Sequence, residues 1–345
     1  MKKILTLLLA LWMLTGCVAM AAENQLVVGS TTAMSGAFFT DLFGSNTADI
    51  DVRALLHGYN LMSWDNETGT YQINDSVVAG MAVSRDAQNN RVYTFDLYGD
   101  LKFSDGSAIT AKDYAFSILL TASPELAKLG GQSAAVGAIL GMDAYQSGKS
   151  SVLRGVRLLS DTQMSITISK AYEPYFYEMA LFDYSPYPIS VLAPGCKVVD
   201  TEKGVGIVNA SGTGDAIFTA ALLQKTILDA ATGYMSHPSV VSGPYTLTRY
   251  DAQRATASFA INPYYKGNED GEKPTIETIV YRSVANDEAI DLLLSGELYS
   301  MDMEDLMALT NSICSTRWGP PIRSARGFNP LRISRSPWRT TRAAA

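Results

Sequence analysis

Histidine and cysteine are nearly missing from this chain, which has two of the first and three of the second in 345 residues. His57 and His237 lie far apart, with no spacing that suggests a metal site or a catalytic triad. Cys196 and Cys314 are equally isolated, so neither a disulfide framework nor a metal-ligand pattern is present. There is no Walker loop and no zinc signature, and Ser35 before Gly36 lacks the flanking glycine pattern of a nucleophile elbow. These gaps argue against an enzyme, and no metal or cofactor is expected. Basic residues are also in short supply, 27 against 34 acidic, for a net charge of −7. That balance argues against a nucleic-acid partner for the folded part.

What is present is a globular composition, 47% hydrophobic and 18% charged, at a length that suggests about two domains. Tyrosine outnumbers phenylalanine, 18 to 11, and offers an apolar body with a polar tip suited to wet clefts or half-buried sites. The two ends differ from the middle. Lys2 and Lys3 precede an almost unbroken apolar run over residues 4–14, which closes on Leu14, Thr15, Gly16 and Cys17. The arrangement is that of an export signal (residues 1–22) with a lipobox, in which the Cys17 thiol takes a diacylglycerol before cleavage. Ordinary cleavage after Ala21 and an uncleaved membrane span are the alternatives. At the other end, residues 306–345 contain seven arginines and no Asp, Glu or Lys. Residues 311–345 show no helical or strand period and read as a disordered or out-of-frame tail that does not pack.

Between the ends, local patterns predict alternating elements. A strand at 25–29 runs into a Gly/Ser/Thr loop, and a helix is expected over 48–62. Residues 93–97 and 164–168 alternate with period two, as half-buried antiparallel strands do. Ser104, Asp105 and Gly106 supply turn chemistry before a helix. Thr110 and Asp113 have capping-box spacing at its start, and Ala111, Tyr114, Ala115, Ile118 and Leu119 mark one buried face. Residues 185–188, with prolines at 186 and 188, read as a crossing between lobes. Residues 203–214, rich in glycine, read as a surface loop.

The string at 103–117 resembles the F-S-D-G-x-x-x-T-A-x-D-V-x-F-S segment of the family-5 extracellular solute-binding proteins. Ordered resemblances follow at 242–247 (Gly243, Pro244, Tyr245), 262–267 (Asn262, Pro263, Tyr264, Gly267), 273–282 and 287–297, the last a helix with Gly296 as its stop. The resemblance implies an α/β fold with mixed sheets, a periplasmic-binding-protein-like type II (cluster C) lobe, with the second lobe largely missing. It implies a main lobe at 23–62 and 182–285, an inserted subdomain at 63–181, and the start of a second lobe at 286–310. The implied function is that of a lipoprotein of an ABC importer, capturing oligopeptides or dipeptides outside the membrane and passing them to a permease and its ATPase. It would act as a monomer, anchored to the outer face of the cytoplasmic membrane (the periplasmic side in a Gram-negative cell). Peptide sensing or adhesion at the cell surface on the same scaffold, or a non-functional truncated fragment, are the alternatives. The implied ligand-facing residues are Thr32, Ala33, Met34, Ser35 and Gly36, pairing an extended backbone, with Phe38 and Phe39 as an apolar wall. The other reading of that loop is a lead-in to the next helix with both rings in the core. Tyr114 and Tyr145 are further cleft candidates, and the anchors expected on the second lobe have no counterpart here.

Overall fold

The computed structural model describes residues 24–65, 68–132, 137–268, 271–298 and 300–301. The export signal with Cys17 and the arginine-bearing tail with Cys314 lie outside the described residues. In chain order the first elements are β1 (Gln25–Ser30), α1 (Thr47–Leu56), β2 (Met62–Asp65), β3 (Thr70–Ile73), β4 (Val78–Arg85), β5 (Arg91–Leu97) and α2 (Ala111–Thr121). There follow α3 (Pro124–Ala127), α4 (Met142–Gln146), β6 (Val152–Leu153), β7 (Val156–Leu158), β8 (Gln163–Ile168), α5 (Ile189–Leu192), β9 (Cys196–Thr201) and β10 (Gly204–Asn209). The last are α6 (Ala220–Thr226), β11 (Tyr245–Asp251), β12 (Thr256–Ile261), β13 (Thr278–Ser283), α7 (Ala289–Ser295) and β14 (Ser300–Met301).

The first sheet is mixed, in the order β11-β12-β13-β1-β14. β1 runs parallel to β13, with Gln25 opposite Thr278 and Ser30 opposite Ser283, and also parallel to β14. Alternation sends Leu26 and Val28 to one face, where Val52 and Leu55 of α1 meet Tyr245, Phe259 and Ile279 in a compact core. The other face is covered by Val284, Ala289 and Leu298. Gly29 permits that cover, since a Cβ there would stand 2.7 Å from Leu298 Cδ1. Within 286–310, expected to open a second lobe, the described part holds α7, which ends at Gly296 (φ +79°), and β14, which pairs with β1. The glycine stop itself is where the sequence predicts it.

The larger core belongs to a second body. Its antiparallel sheet has the order β4-β5-β8-β7, with the expected strands paired directly, Arg91 opposite Ile168 and Asp96 opposite Gln163. A three-stranded sheet, β6-β10-β9, lies nearby, and α2 runs through the middle. Phe116, Ser117 and Leu120 are buried along with the predicted face, so α2 is enclosed on nearly all sides rather than amphipathic. Phe182, Leu192, Val205 and Tyr234 join this same core, as do Phe39, Leu42, Tyr59 and Leu61.

Two element expectations are corrected. The helix read over 48–62 ends at Leu56, and Met62 begins β2. Residues 204–209, read as part of a loop, form strand β10, paired to β9 along its whole length. Its glycines serve close approach: a Cβ on Gly204 would lie 2.4 Å from Leu153 O and one on Gly206 2.9 Å from Ser151 O.

The segments that carry the family resemblance meet in space. Ser104 N–H donates to Val241 O (2.8 Å) and Val241 N–H to Ser104 Oγ (3.0 Å). Ser242 Oγ bridges Gly58, and the buried Asn262 amide donates to Gly243 O (2.8 Å). Gly243 is squeezed against α1, where a Cβ would stand 2.5 Å from Leu55 O. Lys266 N–H reaches Tyr59 Oη (2.6 Å), and Tyr59 stacks on Tyr265. Three of these strings, 103–117, 242–247 and 262–267, thus form one joint between the mixed sheet and the larger body.

Candidate functional site

The loop following β1 leaves the sheet at the carboxyl ends of two parallel strands, since Val284 N–H after β13 donates to Ser30 O (2.9 Å). In open sheets, that is where ligands settle, because the loops there diverge and leave a crevice. The loop's conformation is imposed by one buried carboxylate. Asp49 accepts from Ser35 N–H (2.9 Å), Ser35 Oγ (2.6 Å), Gly36 N–H (3.2 Å) and Asn46 N–H (3.2 Å). Asn46 completes the capping box of α1 by accepting from Asp49 N–H, and its own amide donates to Ala33 O (2.9 Å). The helix start and the loop are one hydrogen-bonded unit.

Gly36 sits at φ +88°, and a Cβ there would press on Ser236 and the Tyr250 ring at 3.3 Å. Thr32 closes a small turn on Ser30 Oγ. Of the five backbone-pairing candidates, Ala33 and Ser35 are exposed and Thr32 half-exposed, while Met34 and Gly36 are buried. Ser236 and His237 lie beside the loop through their contacts with Gly36 and Tyr250.

Phe38 and Phe39 do not form an apolar wall. Phe38 is fully buried edge-on to Tyr250 at 4.7 Å, and Phe39 lies among Tyr187 (4.7 Å) and Tyr234 (5.0 Å). The reason is the backbone: Phe38 N–H donates to Met235 O (2.9 Å) and the Arg53 guanidinium to Ala37 O (2.8 Å), drawing residues 37–39 inward. The rings pin the loop into both cores, as the lead-in reading has it. Tyr114 and Tyr145 are core residues too, their hydroxyls spent on Tyr59 O (2.7 Å) and Leu119 O (3.2 Å).

His57 occupies the cap position after α1, its backbone N–H donating to Arg53 O and its Nε2 lying 2.9 Å from Phe38 O. Burial among aromatic rings pushes its pKa down to about 4, so the neutral ring holds Phe38 in place. Among the described residues, no group of three or more His, Cys, Asp and Glu is placed to hold a metal. Asp49 escaped the sequence reading, though the Asn46–Asp49 spacing was there to be seen. Tyr250 and Ser236 carry no local signal, because they reach the loop only through the fold.

The loop and the strand ends beneath it form one wall at the edge of a mixed sheet. The family model for the middle region of the bacterial extracellular solute-binding proteins, family 5, matches residues 76–310, and the chain belongs to that family. Its members are transport binding proteins, not enzymes. Among curated proteins it is 33% identical over 111 residues to the periplasmic oligopeptide-binding protein OppA of Escherichia coli, covering 32% of this chain and 20% of that one. It is 27% identical over 219 residues to the oligopeptide-binding protein OppA of Lactococcus lactis, covering 62% of this chain and 30% of that one. The chain thus spans less than a third of these relatives. The fold matches lactococcal OppA, solved closed with an endogenous peptide, with a TM-score of 0.57 at 21% identity over 80% of this chain and 44% of that one. It also matches Listeria monocytogenes OppA bound to peptide, at 0.54 and 17%, over 81% and 46%. Among the described residues no helix is long and apolar enough to cross a membrane.

Proposed function

We propose that this chain contributes one wall of a two-walled peptide site in an ABC importer, capturing oligopeptides or dipeptides outside the cell for a permease and its ATPase. One observation carries the reading: a family-5 match over residues 76–310, in a chain whose β1 loop is held rigid at the carboxyl ends of parallel strands. Support for peptides comes from the relatives, which are oligopeptide-binding proteins. Thr32, Ala33 and Ser35 are the residues proposed to face ligand backbone, with Met34 and Gly36 shaping the loop from below. A preformed loop suits this role, because ordering it on binding would subtract from affinity. The Cys17 lipid anchor, the monomeric state and the outer-face location belong to the same proposal, resting on the lipobox and export signal.

The test is native mass spectrometry of the full chain purified from the membrane fraction, followed by titration with peptides of two to nine residues. Co-purified peptides and saturable binding that Ser35→Trp weakens at least tenfold are expected. No retained peptide and no saturable binding up to millimolar concentration would overturn the reading. Mass analysis of the same sample checks for diacylglycerol on Cys17.

A further inference from the structure

An exposed aromatic run stands on the larger body, in the segment that follows β8. Phe176 is 82% exposed and Tyr172, Tyr175 and Tyr177 between 41% and 53%, whereas the other exposed large apolar side chains among the described residues stand singly along the chain. The run is clamped at both ends. Glu173 accepts from Arg85 Nη2 (2.8 Å) and Arg91 Nε (3.0 Å). The buried Glu178 pairs with Arg91 and accepts from the Tyr93 hydroxyl (2.9 Å). Both carboxylates are thereby matched, and the charged residue just before the run, Lys170, is exposed.

The place of this run in the chain's path selects its partner. β5 begins at Arg91, beside the clamp, and ends at Leu97, next to Tyr98 and Asp100. Those two meet Lys266 of the joint, at 4.3 Å from its Nζ to the Tyr98 ring and 2.9 Å to Asp100 Oδ1. The run therefore lies one strand length, about 20 Å, beyond the joint. The joint in turn sits at the amino end of β1: Gln25 is opposite Thr278, Thr278 opposite Ala260, and Asn262 N–H donates to Pro244 O (2.8 Å). The stretch from Cys17 to Gln25 spans at most about 29 Å. We infer that residues 172–177 are a membrane-contact surface, resting in the interfacial layer of the bilayer that holds the Cys17 lipid, an inference that depends on the anchor proposed above. Tether and body agree in length, so the lipid and the aromatic run reach one plane. The tip of the β1 loop, at the other end of the first sheet, is left facing away from it. Tyrosine and phenylalanine suit that layer, with an apolar ring among acyl chains and a hydroxyl at the headgroups. The clamp lowers the ordering cost of contact, and Lys170 adds attraction to anionic headgroups.

Fluorescence quenching in vesicles tests the surface. The full chain, purified from the membrane fraction, is reconstituted into phosphatidylcholine and phosphatidylglycerol with spin labels at acyl carbon 5 or 12. Phe176→Trp and, separately, Ser35→Trp report the two ends of the molecule, and the signal of the unaltered chain is subtracted. Quenching at 176 at least twice that at 35, and stronger from carbon 5 than from carbon 12, is expected. Adding Tyr175→Ser and Tyr177→Ser to the Phe176→Trp chain should at least halve it. Far-ultraviolet dichroism checks each fold, and the exposure of these side chains keeps the core out of the comparison. Equal quenching at both positions, with diacylglycerol found on Cys17 by mass, overturns the surface and leaves the anchor standing. An unmodified Cys17 overturns the anchor and this inference with it. Position 176 shielded only after the permease is added assigns the run to a protein contact and overturns the lipid one. Peptide capture is read separately by titration of the unaltered chain.

Discussion

Two buried ionisable side chains pull the stability of this fold in opposite directions with pH. His57, with a pKa near 4 in the folded chain against 6.5 ordinarily, binds fewer protons folded than unfolded between those values. Its contribution is complete above pH 6.5 and is lost as pH falls toward 4, with an upper bound of about 3 kcal/mol. Asp113, pushed up to about 6 by burial at the start of α2, behaves in reverse. Its contribution is complete below the ordinary value of 3.8 and is lost as pH rises through 6. Urea unfolding from pH 4 to 7 should therefore show His57→Gln losing the upward slope and Asp113→Asn losing the downward one, each relative to the unaltered chain. Parallel curves for all three would refute the assignment. Asp49 is the other decisive residue. Asp49→Ala strands donors from Ser35, Gly36 and Asn46 and is expected to cost about 3 kcal/mol, against about 1 for Asn46→Ala at the cap alone. Thermal unfolding of both variants checks the order.

Among the elements, the best-read ones declare themselves locally. The Thr110–Asp113 pair does cap α2, the Asp113 carboxylate accepting from Thr110 N–H (2.8 Å) and Oγ (2.9 Å). β5 alternates as a half-buried strand should, whereas β8, expected to do the same, is buried on both faces from Met164 to Ile168. The failure at β10 is instructive. Glycine signals a loop when only local conformation is considered, yet here it marks a strand whose neighbour's backbone comes too close for any side chain. Gly206→Val is accordingly expected to destabilise by about 1 to 3 kcal/mol, as overpacking does, although valine is the better strand former. Equal or greater stability in denaturant unfolding would show that the close approach is not essential. α1 is shorter than its pattern suggests because the apolar run through Leu61 and Met62 continues after the helix stops. His57 leaves the helical conformation (φ −118°, ψ 126°), and the chain beyond it turns into β2.

For the whole molecule, the joint formed by residues 58, 104, 241–244 and 262 is the feature that unites the two cores. Asn262→Ala removes a buried donor to Gly243 O and supplies no compensating partner, so a loss of about 2 kcal/mol is expected, with hydrogen exchange quickening at Gly243 and Val241. Unchanged exchange at those amides would show that the joint is held by packing alone. The family, the mixed α/β class, the first strand, the capped helix and the glycine stop after α7 are legible in the order of amino acids, because each is written in a contiguous pattern of turn, cap or alternation. Packing settled the rest: Phe38 and Phe39 face the cores, Asp49 shapes the loop, and β14 returns to pair with β1. Those outcomes depend on contacts between residues distant in the chain, where burial and hydrogen-bond partners are set by packing and leave no periodic trace in the order of amino acids.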